Sequence, residues 1–399
     1  MSNLRTSVCA LVTAAIVGAC GTTVAPPSAD PAPSGDPAPS AGLDLGGDVT
    51  TYRGDAARTG VMPGPGPTGT PQLAWQFQAG APIGSSPAVV GTTAYVPSND
   101  GMLRALDLRT GTVSWTVPLG ATTGSASPLV VDGSVVVADQ SGKVHALDPA
   151  TGAEHWSFQA DGPIDGAAAS VGDTVLTATE VGTAYALDAR TGGVRWRTGL
   201  PAGVTRSVSA SRDTLFVGAG GILVALRLSD GAILWQSSVA SSGDCGTPTV
   251  AGGLAFDATG IDGDALDAKG VVAVDAATGT VRWRFASPTH DQAYTPAVSA
   301  GRGYIVSEDG TVVALDAATG AVAWTAKTGA PNEALATVSG GIVYVPTNGQ
   351  TLVALDAATG SIQWRAPIRG VPYAPVVAHG MVLVGTNVGA LYAFGSAAK

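Results

Sequence analysis

Short apolar runs separated by turn residues recur along most of the chain. Residues 125–159 show one complete unit, with apolar runs at 127–131, 135–138, 144–147 and 154–158 and Asp, Gly, Ser or Gln between them. Runs of four or five residues are too short for helices and are typical of β-strands. The pattern therefore predicts four strands in each unit.

A second pattern marks the end of each unit: Ala-Leu-Asp, two residues, Thr-Gly, three residues and Trp. The spacings between successive tryptophans are 40, 41, 40, 39, 48, 41 and 40 residues. A period near 40 with four strands is typical of a β-propeller blade. The fourth copy is degenerate, with Arg227 and Asp230 in place of Asp and Thr. The eight tryptophans at this position are Trp75, Trp115, Trp156, Trp196, Trp235, Trp283, Trp324 and Trp364.

The two ends of the repeat array complement each other. Residues 373–395 supply three strand signals and no Trp strand, whereas residues 71–79 supply a Trp strand with no blade before it. Pairing them closes the ring and removes exposed sheet edges. We therefore predict an all-β fold: an eight-bladed β-propeller of four-stranded antiparallel blades, closed by the N-terminal strand completing the last blade. We expect the indoles to pack between blades.

The N-terminus has the features of a targeting segment. Arg5 precedes a short apolar stretch that ends in Val-Gly-Ala-Cys20, which resembles the lipobox of bacterial lipoproteins. We predict a signal peptide at 1–19, lipidation of Cys20, a disordered Pro/Ala/Ser/Gly-rich tether at 20–47 and the propeller at 48–396. An ordinary secretory signal with an incidental cysteine remains the alternative. The lipid-anchored interpretation places the protein in the cell envelope, outside the cytoplasm.

Charge and cysteine usage narrow the function classes. The formal net charge is -10 and the sequence pI is about 4.7, so a phosphate backbone would be repelled and nucleic acid is not expected as a partner. Of three cysteines, Cys9 lies in the signal and Cys20 is the lipid site, which leaves Cys245 alone. No disulfide framework, haem motif or zinc spacing is present in the sequence. We expect a monomer.

The Ala-Leu-Asp-x-x-Thr-Gly-x-x-x-Trp copies, with the lead-in Tyr52-Arg53-Gly54-Asp55 and Arg58-Thr59-Gly60, resemble the repeat of pyrroloquinoline-quinone (PQQ) enzymes. The resemblance covers about residues 50–396, and the same repeat builds non-enzymatic propellers such as BamB lipoproteins. It allows PQQ as a cofactor, but the adjacent cysteine pair of the dehydrogenases is missing.

These features favour a lipid-anchored module that binds or scaffolds envelope proteins or ligands. Two alternatives stay open: a quinoprotein dehydrogenase of alcohols or sugars, and a BamB-type outer-membrane assembly factor. We predict no catalytic residue, and PQQ enters only through the family resemblance.

The residues before the first strand of each unit are expected to ring the mouth of the propeller. They vary between units, unlike the repeated positions, and are therefore the candidates for a ligand or partner face. Asp165 and Arg206 lie at comparable places on adjacent blades, where they would pair or Arg206 would meet an anion. The alternative is a water-filled mouth with solvated charges. The candidate residues are Ser125, Asp165, Arg206, Cys245, Tyr294, Glu333 and Tyr373.

Two further sets of residues carry groups that are used in metal binding or catalysis. Residues 257–270 are interpreted as a long loop between two strands of the fifth blade, and Asp257, Asp262, Asp264 and Asp267 offer oxygen ligands to Ca²⁺, although a solvated acidic loop is favoured. No other metal site is expected. The histidines are expected to fall in separate blades without catalytic pairing: His145, His155, His290 and His379.

Overall fold

The computed structural model describes residues 47–204, 206–240, 246–259, 269–287 and 292–396. These residues form eight four-stranded antiparallel sheets, each ordered from an inner to an outer strand. The predicted all-β, eight-bladed propeller is thereby confirmed. The predicted signal peptide and nearly all of the predicted tether lie outside the described residues. The described part of the chain contains no helix that is long and apolar enough to span a membrane.

After the first strand, the other 31 strands follow one another as seven groups of four and a final group of three, which the first strand completes. In the first half they are β1 (Gln72–Gln78); β2 (Ala88–Val90), β3 (Thr93–Ser98), β4 (Met102–Asp107) and β5 (Val113–Pro118) of blade 1; β6 (Leu129–Val131), β7 (Ser134–Ala138), β8 (Lys143–Leu147) and β9 (Glu154–Gln159) of blade 2; β10 (Ala169–Val171), β11 (Thr174–Ala178), β12 (Thr183–Asp188) and β13 (Val194–Gly199) of blade 3; and β14 (Ser209–Ser211), β15 (Thr214–Ala219), β16 (Ile222–Arg227) and β17 (Ile233–Ser238) of blade 4.

The second half repeats the arrangement. Its strands are β18 (Thr249–Ala251), β19 (Leu254–Thr259), β20 (Gly270–Asp275) and β21 (Val281–Ala286) of blade 5; β22 (Ala297–Ser299), β23 (Arg302–Val306), β24 (Thr311–Asp316) and β25 (Val322–Lys327) of blade 6; β26 (Thr337–Ser339), β27 (Ile342–Thr347), β28 (Thr351–Asp356) and β29 (Ile362–Pro367) of blade 7; and β30 (Val376–Ala378), β31 (Met381–Gly385) and β32 (Ala390–Gly395) of blade 8.

Blade 8 is completed from the other end of the chain. Strand β1 pairs antiparallel with β32, from Gln72 opposite Gly395 to Gln78 opposite Ala390. The sheet order is therefore β1-β32-β31-β30. This closure matches the prediction from the complementary ends of the repeat array.

The repeated Asp-x-x-Thr-Gly segment builds the turn between the third and outer strands. In blade 2, Asp148 Oδ1 accepts hydrogen bonds from the backbone N–H groups of Ala150 and Thr151 at 3.1 and 2.8 Å, and from the Thr151 hydroxyl at 2.7 Å. Gly152 then adopts a left-handed conformation with φ of 74°. The carboxylate thus replaces missing backbone partners, and the glycine permits the reversal.

The indoles link each blade to the next. Trp156 of blade 2 donates its Nε1–H to the carbonyl of Ala189 in the blade 3 turn at 2.9 Å. A Cβ on Gly192 of that turn would lie 2.5 Å from Cε3 of the same indole. Glycine is therefore required by both its φ and the close approach of the ring. The same hydrogen bond, from an indole N–H to a carbonyl in the next blade, joins six other pairs of neighbouring blades. Its donors are Trp75, Trp115, Trp196, Trp235, Trp283 and Trp324.

The core lies in the two middle strands of each sheet. All five residues of β7 are buried, whereas the outer strand β9 buries only its tryptophan fully. Neighbouring blades cover both faces of a middle strand, so apolar residues run continuously there, as in sheets covered on both sides.

Residues 48–62 run around the inside of the ring. Val49 exchanges two backbone hydrogen bonds with Val89 of blade 1. The carbonyls that follow accept hydrogen bonds from one inner-strand N–H each. In chain order these bonds join Thr50 to Val130 of blade 2, Ala56 to Ala210 of blade 4, Ala57 to Val250 of blade 5, Thr59 to Val298 of blade 6, and Gly60 to Val338 of blade 7.

Arg58 fixes this inner segment to blades 3 and 4. Its side chain is fully buried, and its Nε donates to the carbonyl of Val208 at 2.9 Å while Nη2 donates to Ala168 at 2.6 Å. Nη1 donates within the inner segment itself, to Thr51 Oγ1 and to the carbonyl of Tyr52, both at 2.7 Å. The guanidinium is thus satisfied by buried acceptors.

Candidate functional site

All eight connections that lead into the inner strands converge on one cavity. The cavity has a volume of about 200 Å³. It lies at the beginning of the inner strands, where the residues before the first strand of each unit were predicted to form the mouth. Its lining residues come from the connections to blades 1 to 8 and from the inner segment: Gly84, Ser85, Ser86, Ser125, Asp165, Gly166, Arg206, Ser207, Gly246, Thr247, Gln292, Tyr294, Thr295, Glu333, Ala334, Leu335, Tyr373, Ala374 and Tyr52.

The inner segment contributes an aromatic side chain to the lining of the cavity. Tyr52 is the one lining residue that precedes the blades. The guanidinium of Arg58 lies 5.5 Å from the centroid of the Tyr52 ring, an arrangement in which a cation is attracted to an aromatic face. Because Arg58 is itself fixed to blades 3 and 4, this contact holds the Tyr52 ring in place.

Serine and threonine side chains join neighbouring connections around the mouth. Ser127 Oγ accepts a hydrogen bond from the N–H of Ser86 at 3.0 Å, and Ser207 Oγ accepts one from Ala167 at 2.9 Å. Thr337 Oγ1 donates to the carbonyl of Pro375 at 2.8 Å. The mouth is therefore a bonded rim, which favours a largely pre-formed cavity.

The structure brings six of the predicted mouth residues to the same cavity. The seventh, Cys245, lies outside the described residues. The six are Ser125, Asp165, Arg206, Tyr294, Glu333 and Tyr373.

Asp165 and Arg206 do not form the pair that their positions suggested. Asp165 lies four residues before β10, whereas Arg206 lies three residues before β14, so the two side chains are offset. The Asp165 carboxylate instead accepts hydrogen bonds from the N–H of Ser125 and the amide of Gln140, both at 3.1 Å. Its charge is therefore engaged by blade 2 and the connection that leads into it.

Two tyrosines of the mouth keep their phenolic protons at neutral pH. Burial raises the pKa of Tyr294 to about 12, and the negative charges of Glu308 and Glu333 act in the same direction. Burial, together with Glu333, also raises the pKa of Tyr373. Both phenols are thus protonated and available as O–H donors.

Thirteen of the nineteen lining residues were not selected from the sequence, and Ser85, Tyr52 and Gln292 illustrate why. Ser85 lies in the connection that precedes the first strand of blade 1, so its position was available from the repeat. Tyr52 and Gln292 carried no such signal, because the first lies outside the repeats and the second lies in an irregular connection.

The calcium interpretation of blade 5 needs correction. Asp257 lies within β19, where it is buried and paired with Val272, and not in a loop. The strand continues beyond it to Thr259. Asp262, Asp264 and Asp267 lie outside the described residues. Among the described residues, no group of three or more His, Cys, Asp or Glu side chains could hold a metal ion.

Two histidines share a blade, contrary to the prediction that each falls in a separate one. His145 lies in β8 and His155 in β9, which are joined by a single hairpin. The buried His145 contacts Asp139 through Nε2 at 3.2 Å and Glu154 through Nδ1 at 3.0 Å. These contacts tie the strands of blade 2 together and lie apart from the cavity. His290 lies outside the described residues.

The fold and its repeat define a β-propeller of the PQQ-repeat class. The chain belongs to the family of outer membrane protein assembly factor BamB, whose model matches residues 68–163, 141–269, 182–298, 219–337 and 309–398. This confirms the resemblance inferred from the Ala-Leu-Asp to Trp copies. No curated protein matches the sequence.

Several solved structures are similar to this chain. BamB from Moraxella catarrhalis is 21% identical, with 82% of this chain and 100% of that chain covered and a TM-score of 0.67. Quinohemoprotein alcohol dehydrogenase from Comamonas testosteroni is 19% identical, with coverages of 88% and 81% and a TM-score of 0.66. The computationally designed Ika8 protein is 17% identical, with coverages of 81% and 99% and a TM-score of 0.69. Likeness at these identities shows the fold alone.

Proposed function

We propose that this chain is a lipid-anchored propeller of the cell envelope that binds envelope proteins or ligands at its mouth. One observation carries the proposal. The positions that repeat in every blade are used for turns and blade packing, whereas the positions that vary between blades converge on one cavity. Concave sites with a few convergent polar groups are where ligands bind in most proteins.

Family membership supports an envelope role. The BamB structure is covered over its whole length, so this chain has the complete propeller of that protein. The family takes its description from an outer membrane protein assembly factor, and a role of that kind here would need an outer membrane. The more general role that we propose, a tethered binding module, requires only the lipid anchor and the cavity at the mouth.

The quinone alternative is less well supported by the cavity. PQQ carries three carboxylates, whereas the described lining residues offer one arginine and two carboxylates of their own, Asp165 and Glu333. The cavity of about 200 Å³ also lies below the usual range of about 300–1,000 Å³ for ligand pockets. Reconstitution with PQQ and Ca²⁺, followed by dye reduction, is expected to give no activity above a heat-treated control.

The anchor is tested by partitioning. Wild-type protein expressed in its own host is expected to enter the detergent phase of a Triton X-114 separation, because a diacylglycerol on Cys20 supplies the apolar anchor. Cys20→Ala is expected to move the protein to the aqueous phase, with Cys9→Ala as the matched control that still partitions with detergent. Equal partitioning of wild type and Cys20→Ala would contradict lipidation.

The mouth is tested by photo-crosslinking in intact cells. A benzophenone amino acid replaces Tyr373 at the mouth or, as a control, Val194, which is exposed on the outer strand of blade 3. We expect a discrete adduct from position 373 and none from position 194. Adducts of equal yield at both positions, or none at position 373, would contradict binding at the mouth.

A further inference from the structure

Two buried polar atoms of the cavity wall lack partners among the described residues. They are Nε of Arg206 and Oγ of Ser85, and both residues line the cavity. Buried polar atoms are almost always hydrogen-bonded in native proteins, and each exception needs an explanation such as a bound ligand. Two unpaired donors in the wall of a cavity are what a receptor for an acceptor group requires.

The carboxylates of the cavity do not neutralise Arg206. Asp165 is engaged by Ser125 and Gln140, and Glu333 accepts a hydrogen bond from the Asn348 amide at 2.8 Å. Arg206 forms no ion pair with any described residue. A guanidinium keeps its charge in proteins and presents a planar fork of donors that matches a carboxylate.

Phenolic donors accompany the guanidinium. Burial raises the pKa of Tyr294, and the positive charge of Arg206 acts on it in the opposite direction. Together with Tyr373, Tyr294 adds neutral O–H donors to the wall. Asp165 and Glu333 oppose additional negative charge on a ligand, so a single anionic group is favoured over a polyanion.

We infer that the mouth cavity binds a carboxylate carried by a small polar ligand, which Arg206 holds through a bidentate contact and Ser85 through its hydroxyl. The volume of about 200 Å³ suits a small acid or the end of a chain. Two sources share this chemistry: a sugar acid and the C-terminal carboxylate of a peptide. The inference rests on the proposed binding role of the mouth and names the ligand class of that site.

Isothermal titration calorimetry on the full chain tests the inference with four probes. D-glucuronate is compared with methyl glucoside, and N-acetylglycylglycine with its C-terminal amide. We expect binding of at least one acid and a loss of at least tenfold in affinity for its neutral counterpart, since a charged bidentate contact is removed. The acid that binds identifies the source of the carboxylate.

Variants locate the contact. Arg206→Gln is expected to weaken binding of the acid at least tenfold, and Arg206→Lys to weaken it less, because the charge is kept and the fork is lost. Arg212→Gln is the matched control in the same blade, since Arg212 is exposed in the turn at the far end of the inner strand. It is expected to bind as wild type. Ser85→Ala, expected to weaken binding severalfold, provides a second variant if Arg206→Gln unfolds.

The outcomes separate this inference from the proposed function. Acids that do not bind at millimolar concentration, neutral probes that bind equally well, or an affinity unchanged by both Arg206→Gln and Ser85→Ala would overturn the inference. Adducts from position 373 in cells would then still support the mouth as a binding site with another ligand class. Loss of those adducts would overturn the proposed function as well.

Discussion

The contact between the turn glycine and the neighbouring indole permits a quantitative prediction. Gly192 has φ of 70°, and a Cβ there would lie 2.5 Å from Cε3 of Trp156. The indole cannot retreat easily, because its N–H is bonded to Ala189. Alanine in the left-handed region costs about 1 kcal/mol, and the overpacking adds about 1–3 kcal/mol. Gly192→Ala is thus expected to lower the free energy of unfolding by about 2–4 kcal/mol.

A matched glycine in the same blade isolates the packing contribution. Gly172 also has a positive φ, 56°, but a Cβ there would meet nothing within 4 Å. Gly172→Ala is therefore expected to lose only about 1 kcal/mol. Urea titrations followed by far-ultraviolet circular dichroism measure both variants against wild type. Equal losses for the two variants would refute the claim that the indole packs directly on the turn glycine.

Three further perturbations test other parts of the structure. Arg58→Met is expected to lower the free energy of unfolding by roughly 3 kcal/mol or more, because buried carbonyls on the connections to blades 3 and 4 lose a charged donor; a urea titration showing a loss below about 1 kcal/mol would contradict the assigned contacts. Trp196→Ala is expected to lose about 3–5 kcal/mol, since the indole is 8% exposed and its N–H is bonded to Leu228; a much smaller loss in the same titration would mean that the ring is not buried between blades. Hydrogen bonds from Arg282 and then Thr278 lower the pKa of Asp275 to about 2 in the folded protein, against about 3.9 when unfolded. Its stabilisation is therefore present above pH of about 4 and is lost as the pH falls through about 2. Asp275→Asn is expected to reduce the pH dependence of the unfolding free energy across that window, and an unaltered dependence would count against this pKa.

The fold could be predicted because its determinants are local and repeated. The Asp-x-x-Thr-Gly turn, the short apolar runs and the Trp spacing each act within one blade, and eight copies reinforce one another. The strand bounds of blade 2 agree closely with the apolar runs. The inner strand was predicted too long, as 127–131 and not Leu129–Val131, because its first residues belong to the bonded rim of the mouth.

The path of residues 48–62 could not be predicted in the same way. Its partners lie on all eight blades, far apart in the sequence, and no local pattern encodes such pairing. The buried arginines were visible only as part of a lead-in segment whose structure the sequence left open. Contacts of this kind depend on the assembled ring.

The mouth was predictable in outline and not in detail. The repeats permitted an alignment, and the alignment brought six variable residues to one cavity. An offset of one residue between Asp165 and Arg206 was enough to invalidate the suggested pair, since side-chain direction changes with each residue of an extended chain. Asp257 was misplaced for a related reason, because a carboxylate in a buried strand is not expected from composition.

The central claim is that residues 48–62 are hydrogen-bonded to the inside of the ring as an integral part of the propeller. Hydrogen–deuterium exchange of the full chain tests it most directly, through peptides that cover residues 48–62. We expect the amides of Val49, Gly60 and Met62, which donate to buried carbonyls, to exchange as slowly as amides of the blade strands. Exchange of this segment at the rate of an unstructured chain, with the blades still protected, would show that it is not bonded to the ring.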